Sequence, residues 1–217
     1  MSLQLFGHPF SSYTWKVLIP LWADETPFQF RLLGQDQPEN AAEFGRLSPF
    51  GQFPLLLDGD GAVVESTIII EHLQSHHPGP NCWIPDGEEG HRVRFLDRVF
   101  DLRVMSNMQV PVSDALRPAD QRDPYGVAQA RDRLRAAYDW LETQVGDGWA
   151  AGERFTLADC AAAPSLFYAD WVEEIGPERP RLQAYRQRLL RHPAVARAVD
   201  EARPYRPYFP LGAPDRD

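Results

Sequence analysis

Two short stretches of this chain combine residue types and spacings that can do chemistry: Phe53-Pro54 and, a hairpin's length further on, Glu65-Ser66. Ser66 heads the run Thr67-Ile68-Ile69-Ile70-Glu71-His72-Leu73, whose apolar residues recur at helical spacing, so Ser66 is expected to open a buried helix as its N-cap. Such a helix end carries unpaired N–H groups and positive dipole, a seat for a small carboxylate. Glu65 sets a negative charge beside that seat. The ligand this suits is a zwitterion with its carboxylate at Ser66 and its ammonium at Glu65, as at the terminus of an amino acid or peptide. Pro54 enters an apolar run without an N–H, which requires an edge position or a special turn. A cis Phe53-Pro54 bond would expose the Phe53 backbone, and a peptide could then be gripped as an added strand. Taken singly, Pro54 is an edge-strand proline and Ser66 an ordinary cap; their joint spacing is what points to a binding site.

These residues must be positioned by the elements around them. Residues 55–57, the turn Asp58-Gly59-Asp60-Gly61 and residues 62–64 read as a hairpin. Upstream, residues 3–6 read as a strand, 11–22 as a helix carrying Trp15, Val17, Leu18, Leu21 and Trp22, 28–33 as a second strand and 38–47 as a short helix. The order is βαβαββα, and a right-handed βαβ crossover makes the sheet mixed, as a thioredoxin-like α/β domain over residues 1–78 requires. Prolines and glycines predict a linker over 79–90. Helical periods without any convincing period-two segment then predict an all-α domain over 91–203, with Pro111 kinking or ending its first helix. Thr156-Leu157-Ala158-Asp159 reads as a capping box, which makes Asp159 a structural cap and not a catalytic acid. The proline-rich residues 204–217 are expected to form an extended tail.

Composition excludes several classes. A net charge of −9 argues against a phosphate-backbone partner, so no nucleic acid is expected. Lys16 is the only lysine, which rules out a Gly-x-x-x-x-Gly-Lys phosphate loop; it reads as a solvated helix charge. Cys82 and Cys160 are too far apart for a Cys-x-x-Cys pair or a zinc framework, and Cys160 reads as buried. His72 and His76 have the spacing of a metal pair, yet no third ligand is evident, so no metal is expected. No stretch has the length of a membrane span, and the first residues carry no secretory pattern, so the chain is expected in the cytoplasm, away from membranes.

The segment SPFGQFPLLLDG followed by VVESTIIIEHL resembles the glutathione site of the cytosolic glutathione S-transferase family. With the two-domain order and the capping box, the resemblance covers nearly the whole chain. It implies that Phe53, ahead of a cis Pro54, binds the cysteinyl backbone of glutathione, that Glu65 and Ser66 hold its γ-glutamyl end, and that Gln52 helps hold the glycyl carboxylate or backbone. Residues 35–40 could also reach that end, without individual assignments. The stretch SSYTWKV resembles the serine-type, bacterial-like pattern, with some zeta- and theta-like features, in which a serine opens the first helix. Ser11 is accordingly the expected catalytic residue, donating to the glutathione thiolate, with Ser12 and Tyr13 as neighbouring candidates. Phe6 and Gly7 stand where tyrosine-type enzymes carry their tyrosine, and no cysteine opens the helix. The resemblance implies a glutathione transferase that takes glutathione as co-substrate, joins it to a small hydrophobic electrophile, and acts as a cytoplasmic homodimer in detoxification. The electrophile is expected in the cleft between the domains, near Phe10 and near Met105, Asn107 and Met108, three residues that read equally as core or dimer contacts. Two alternatives stand beside it: a glutathione-dependent isomerase like maleylacetoacetate isomerase, and a non-catalytic interaction protein that keeps the fold.

Overall fold

The structure, a computed structural model, describes residues 3–216. Its first unit contains strand β1 (Leu3–Gly7), helix α1 (Ser12–Ala23), β2 (Phe28–Leu32), α2 (Pro38–Leu47), β3 (Leu55–Asp58), β4 (Gly61–Val64) and α3 (Ser66–His76). The sheet order is β2-β1-β3-β4, with β1 parallel to β2 and the other pairs antiparallel. This is the expected mixed sheet of a thioredoxin-like domain.

Register explains why the chemistry gathers at one end of the sheet. In the β3–β4 ladder Leu55 faces Val64, so the chain entering β3 through Phe53-Pro54 lies opposite the chain leaving β4 through Glu65-Ser66. In the β1–β3 ladder Phe6 faces Leu55, which brings the exit of β1, and hence the start of α1, to the same edge. Gly7 permits that exit: a Cβ there would meet the Thr14 side chain at 2.7 Å.

The second unit is helical: α4 (Gly87–Val99), a π-helical stretch (Phe100–Met105), α5 (Ser106–Ala115), α6 (Pro124–Gln144), α7 (Leu157–Val172), α8 (Pro180–Arg191) and α9 (Pro193–Ala202). Every residue of α7 is buried. Its small residues let α1 pack closely, with Trp15 meeting Phe167 and Tyr168 at ring separations of 5.0 and 5.3 Å.

Several expectations are corrected. Helix α4 starts at Gly87, inside the expected linker, and the preceding segment is pinned by the Trp83 Nε1–H bond to Asp24 (2.7 Å). Pro111 does not end its helix: α5 continues to Ala115, and a π-helical turn lies upstream. The tail is not extended. Residues Arg203–Tyr208 form a 3-10 helix, and Phe209 is buried against Trp171, with ring centroids 5.1 Å apart. Proline fits the first turn of such a helix, and one aromatic anchor then returns the chain to the core. Lys16 is not a solvated charge. At 1% exposure its Nζ lies 2.5 Å from Asp97 and 2.8 Å from Asp101, and it donates to Thr67 (2.9 Å), joining α1 and α3 to the helical unit.

Candidate functional site

A cavity of about 940 Å³ lies between the two units, and Ser11, Ser12, Tyr13, Gln52, Phe53, Pro54, Glu65 and Ser66 all line it. Every residue assigned to glutathione or its thiol therefore opens on one space. The Phe53-Pro54 bond is cis.

Helix α3 differs from the expectation in one respect. Its cap is Glu65, not Ser66, and the Glu65 side chain makes no capping bond. Ser66 is the first helical residue, so its own N–H is among those that no earlier turn satisfies. Glu65 sits at φ 70, a conformation unusual for a non-glycine residue and found disproportionately at binding sites. The result is a helix mouth with a buried serine and an exposed carboxylate side by side at the cavity wall.

Helix α1 opens on the same cavity. Ser11 is its N-cap, with Oγ accepting from Thr14 N–H at 3.3 Å, while Ser11 N–H donates to His8 C=O (2.9 Å). The capping bond uses a lone pair on Oγ and leaves the hydroxyl proton free to donate elsewhere. Ser12 and Tyr13 carry the next N–H groups of the turn, where the helix dipole is positive. Burial, and next the negative charge of Asp101, push the Tyr13 hydroxyl up to about 12. Tyr13 is therefore a neutral hydroxyl near neutral pH and no proton acceptor.

His8, the first residue of the stretch 8–13 in which the thiolate donors were expected, also lines the cavity. Burial lowers its pKa, and Phe10 N–H donates to its Nδ1 at 3.1 Å, which fixes the neutral ring with its proton on Nε2. Its signal in the sequence is its place between β1 and the α1 cap.

The remaining wall comes from the helical unit and is mixed, with Arg98, Asp101, Ser106 and Gln109 beside an apolar part. Met105, Met108, Val112, Tyr168 and Phe209 line it, together with Phe10, whose carbonyl accepts from Tyr168 OH at 3.0 Å. Asn107 turns away: its amide donates to Arg103 C=O (2.7 Å), and it faces a separate hollow beside Phe95 and Trp140. Asn40, in the unassigned stretch 35–40, is engaged elsewhere, donating to Leu32 C=O and accepting from Arg31. Asp159 closes the capping box with Thr156 deep in the helical unit, as expected.

Fold and cleft together define a two-domain protein, a thioredoxin-like sheet unit joined to a helical unit, with its candidate site at their junction. Residues 5–81 match the model of the glutathione S-transferase N-terminal domain and residues 124–188 that of the C-terminal domain, together more than half of the chain. The chain belongs to the glutathione S-transferase family. It is 28% identical to a probable maleylacetoacetate isomerase of Vibrio cholerae over 94% of this chain and 98% of that one. It is 25% identical to the glutathione S-transferase GstB of Escherichia coli, over 91% and 97%. Among solved structures, a glutathione S-transferase of Methylobacterium radiotolerans in complex with glutathione sulfonate superposes with a TM-score of 0.78 at 25% identity, covering 92% of this chain and 95% of the other.

Proposed function

We propose that the protein is a glutathione transferase that ionises the thiol of glutathione and joins it to a small hydrophobic electrophile. The observation that carries this reading is the convergence of two helix mouths, at Ser11 and at Glu65-Ser66, on one cavity beside the Phe53 backbone. Glutathione is a zwitterion at one end, an extended peptide in the middle and a thiol between. The γ-glutamyl carboxylate meets Ser66 and its N–H, the ammonium meets Glu65, the cysteinyl backbone pairs with Phe53, and Gln52 supports the glycyl end. The sulfur then faces the start of α1. Ser11 donates a hydrogen bond from its hydroxyl to the sulfur, and the first-turn N–H groups and dipole add to that stabilisation, so the thiol releases its proton to solvent and remains as the thiolate. The electrophile occupies the apolar wall of Met105, Met108 and Phe209, where flexible thioethers suit varied shapes.

Conjugation of glutathione to a panel of aryl halides, epoxides and unsaturated carbonyls is the direct test, with turnover expected for at least one class. A panel without turnover, together with no glutathione binding by calorimetry, would instead favour a non-catalytic interaction protein. The Vibrio cholerae relative supports a second reading, glutathione-dependent isomerisation. Turnover of a cis-enone diacid without net consumption of glutathione would select it. The same proposal takes the protein as a cytoplasmic homodimer acting in detoxification. No described helix is long and apolar enough to cross a membrane. Phe50 and Phe95, 69% and 50% exposed, are apolar surface that a second subunit would cover.

A further inference from the structure

On the first unit, away from the cavity walls, Asp58 in the β3–β4 turn meets two histidines of the α3 C-terminal end. His72 Nε2 and His77 Nε2 lie 2.9 and 2.7 Å from the same oxygen, Asp58 Oδ2. The three ligand-type atoms lie within 4.8 Å of one another. Sequence spacing paired His72 with His76 and left the pair without a third ligand. The fold substitutes His77, which lies just past the helix end, and brings in Asp58 from the hairpin. His76 has a different part: its ring stacks on His72 with centroids 4.3 Å apart, and its Nδ1 bonds to His72 C=O (3.1 Å). Backbone fixes the other histidine, since His77 N–H donates to Leu73 C=O at 2.8 Å.

We propose that Asp58, His72 and His77 form a binding site for a divalent transition-metal ion, of which Zn²⁺ is the natural probe, that clips the β3–β4 turn to the end of α3. Two imidazole nitrogens and one carboxylate oxygen suit zinc, nickel or copper far better than magnesium or calcium, which prefer all-oxygen shells. All three side chains are between a fifth and a third exposed, so an ion can enter and water can complete its shell. Tetrahedral ligands at about 2.0–2.1 Å from zinc stand roughly 3.3 Å apart, so the present separations need to widen by about half an ångström. Partly exposed side chains accommodate that by small rotations. Without metal, each Nε2–H donates to Asp58. On binding, each Nε2 gives up its proton and offers its lone pair to the metal. The site is independent of the proposed glutathione chemistry, because none of its three residues lines the cavity.

The test uses the full-length, tag-free chain, stripped with a chelator and dialysed. Titration with Zn²⁺ by calorimetry, and with Co²⁺ by visible absorption, is expected to give one equivalent per chain and a ligand-field band. Zn²⁺ should also raise the melting temperature. Asp58→Asn, which keeps the shape of the side chain, and His77→Ala should each weaken Zn²⁺ binding by at least about tenfold and abolish the thermal shift, whereas His76→Ala should retain both. Far-UV circular dichroism checks that each variant is folded. Absence of saturable binding, or binding undiminished in Asp58→Asn and His77→Ala, would overturn the proposal and leave a hydrogen-bonded cluster only.

Discussion

The starts of α3 and α7 are built from the same kinds of residue and behave in opposite ways. At α7, Thr156 and Asp159 are fully buried and spent on each other and on the surrounding chain. Asp159 accepts from Thr156 N–H (2.9 Å), Ala150 N–H (2.8 Å) and Tyr185 OH (2.7 Å). At α3, the acid and the hydroxyl stand side by side, the acid makes no capping bond, and the helix opens on the cavity. A closed helix mouth holds a fold together, whereas an open one retains the N–H groups and dipole that a ligand can use. A serine or threonine beside an acid thus signals a helix start in either case. Its function is decided by whether the structure itself satisfies the donors.

The widest separation between the two regions is expected from Asp159→Ala. It strands several buried donors at once, and a loss of about 3 kcal/mol or more is expected in chemical denaturation, with unchanged glutathione affinity in the folded fraction. Next in size is Ser11→Ala, at the other open mouth. Conjugation, measured as kcat/KM, should fall on the order of 10²-fold, while the lost cap costs only about 1 kcal/mol of stability. If kcat/KM survives that change, attention passes to Ser12 and Tyr13. A smaller effect is expected for Ser66→Ala, which should weaken glutathione binding about tenfold in calorimetry and leave the unfolding midpoint nearly unmoved. A large drop in stability there would put α3 in the same class as α7.

The smallest expected effect is a pH dependence shared by both regions. Burial lowers the pKa of His8, beside the α1 mouth, and of His192, packed on Phe155 near the closed one. The unfolded chain then binds these protons more readily than the folded one. Their contribution to stability is complete above the ordinary value of 6.5 and is lost as pH falls below it. Denaturation midpoints followed from neutral pH downward should decline through that window, and His192→Gln should flatten the decline without altering glutathione affinity.

Local chemistry was legible in the sequence. The hairpin turn, the proline at Pro54, the capping box and the acid-serine pair each depend on neighbours within a few residues, and with them came the βαβαββα order and the residues lining the cavity. What escaped depends on distant parts of the chain. Lys16 looked like a surface charge because Asp101, its partner, is 85 residues away. The tail looked extended because nothing local reveals that Phe209 finds Trp171. The pairing of His77 with Asp58 went unseen because helical spacing sets His72 beside His76, whereas the helix ends at His76 and brings His77 to Asp58.

The account stands most directly on the ionisation of bound glutathione, followed by the ultraviolet absorbance of its thiolate in a pH titration of the wild-type complex and of Ser11→Ala. The open start of α1 predicts a bound-thiol midpoint well below that of free glutathione, moved back toward the free value when the Ser11 hydroxyl is removed. A bound thiol that titrates like the free one in the wild-type protein would contradict it.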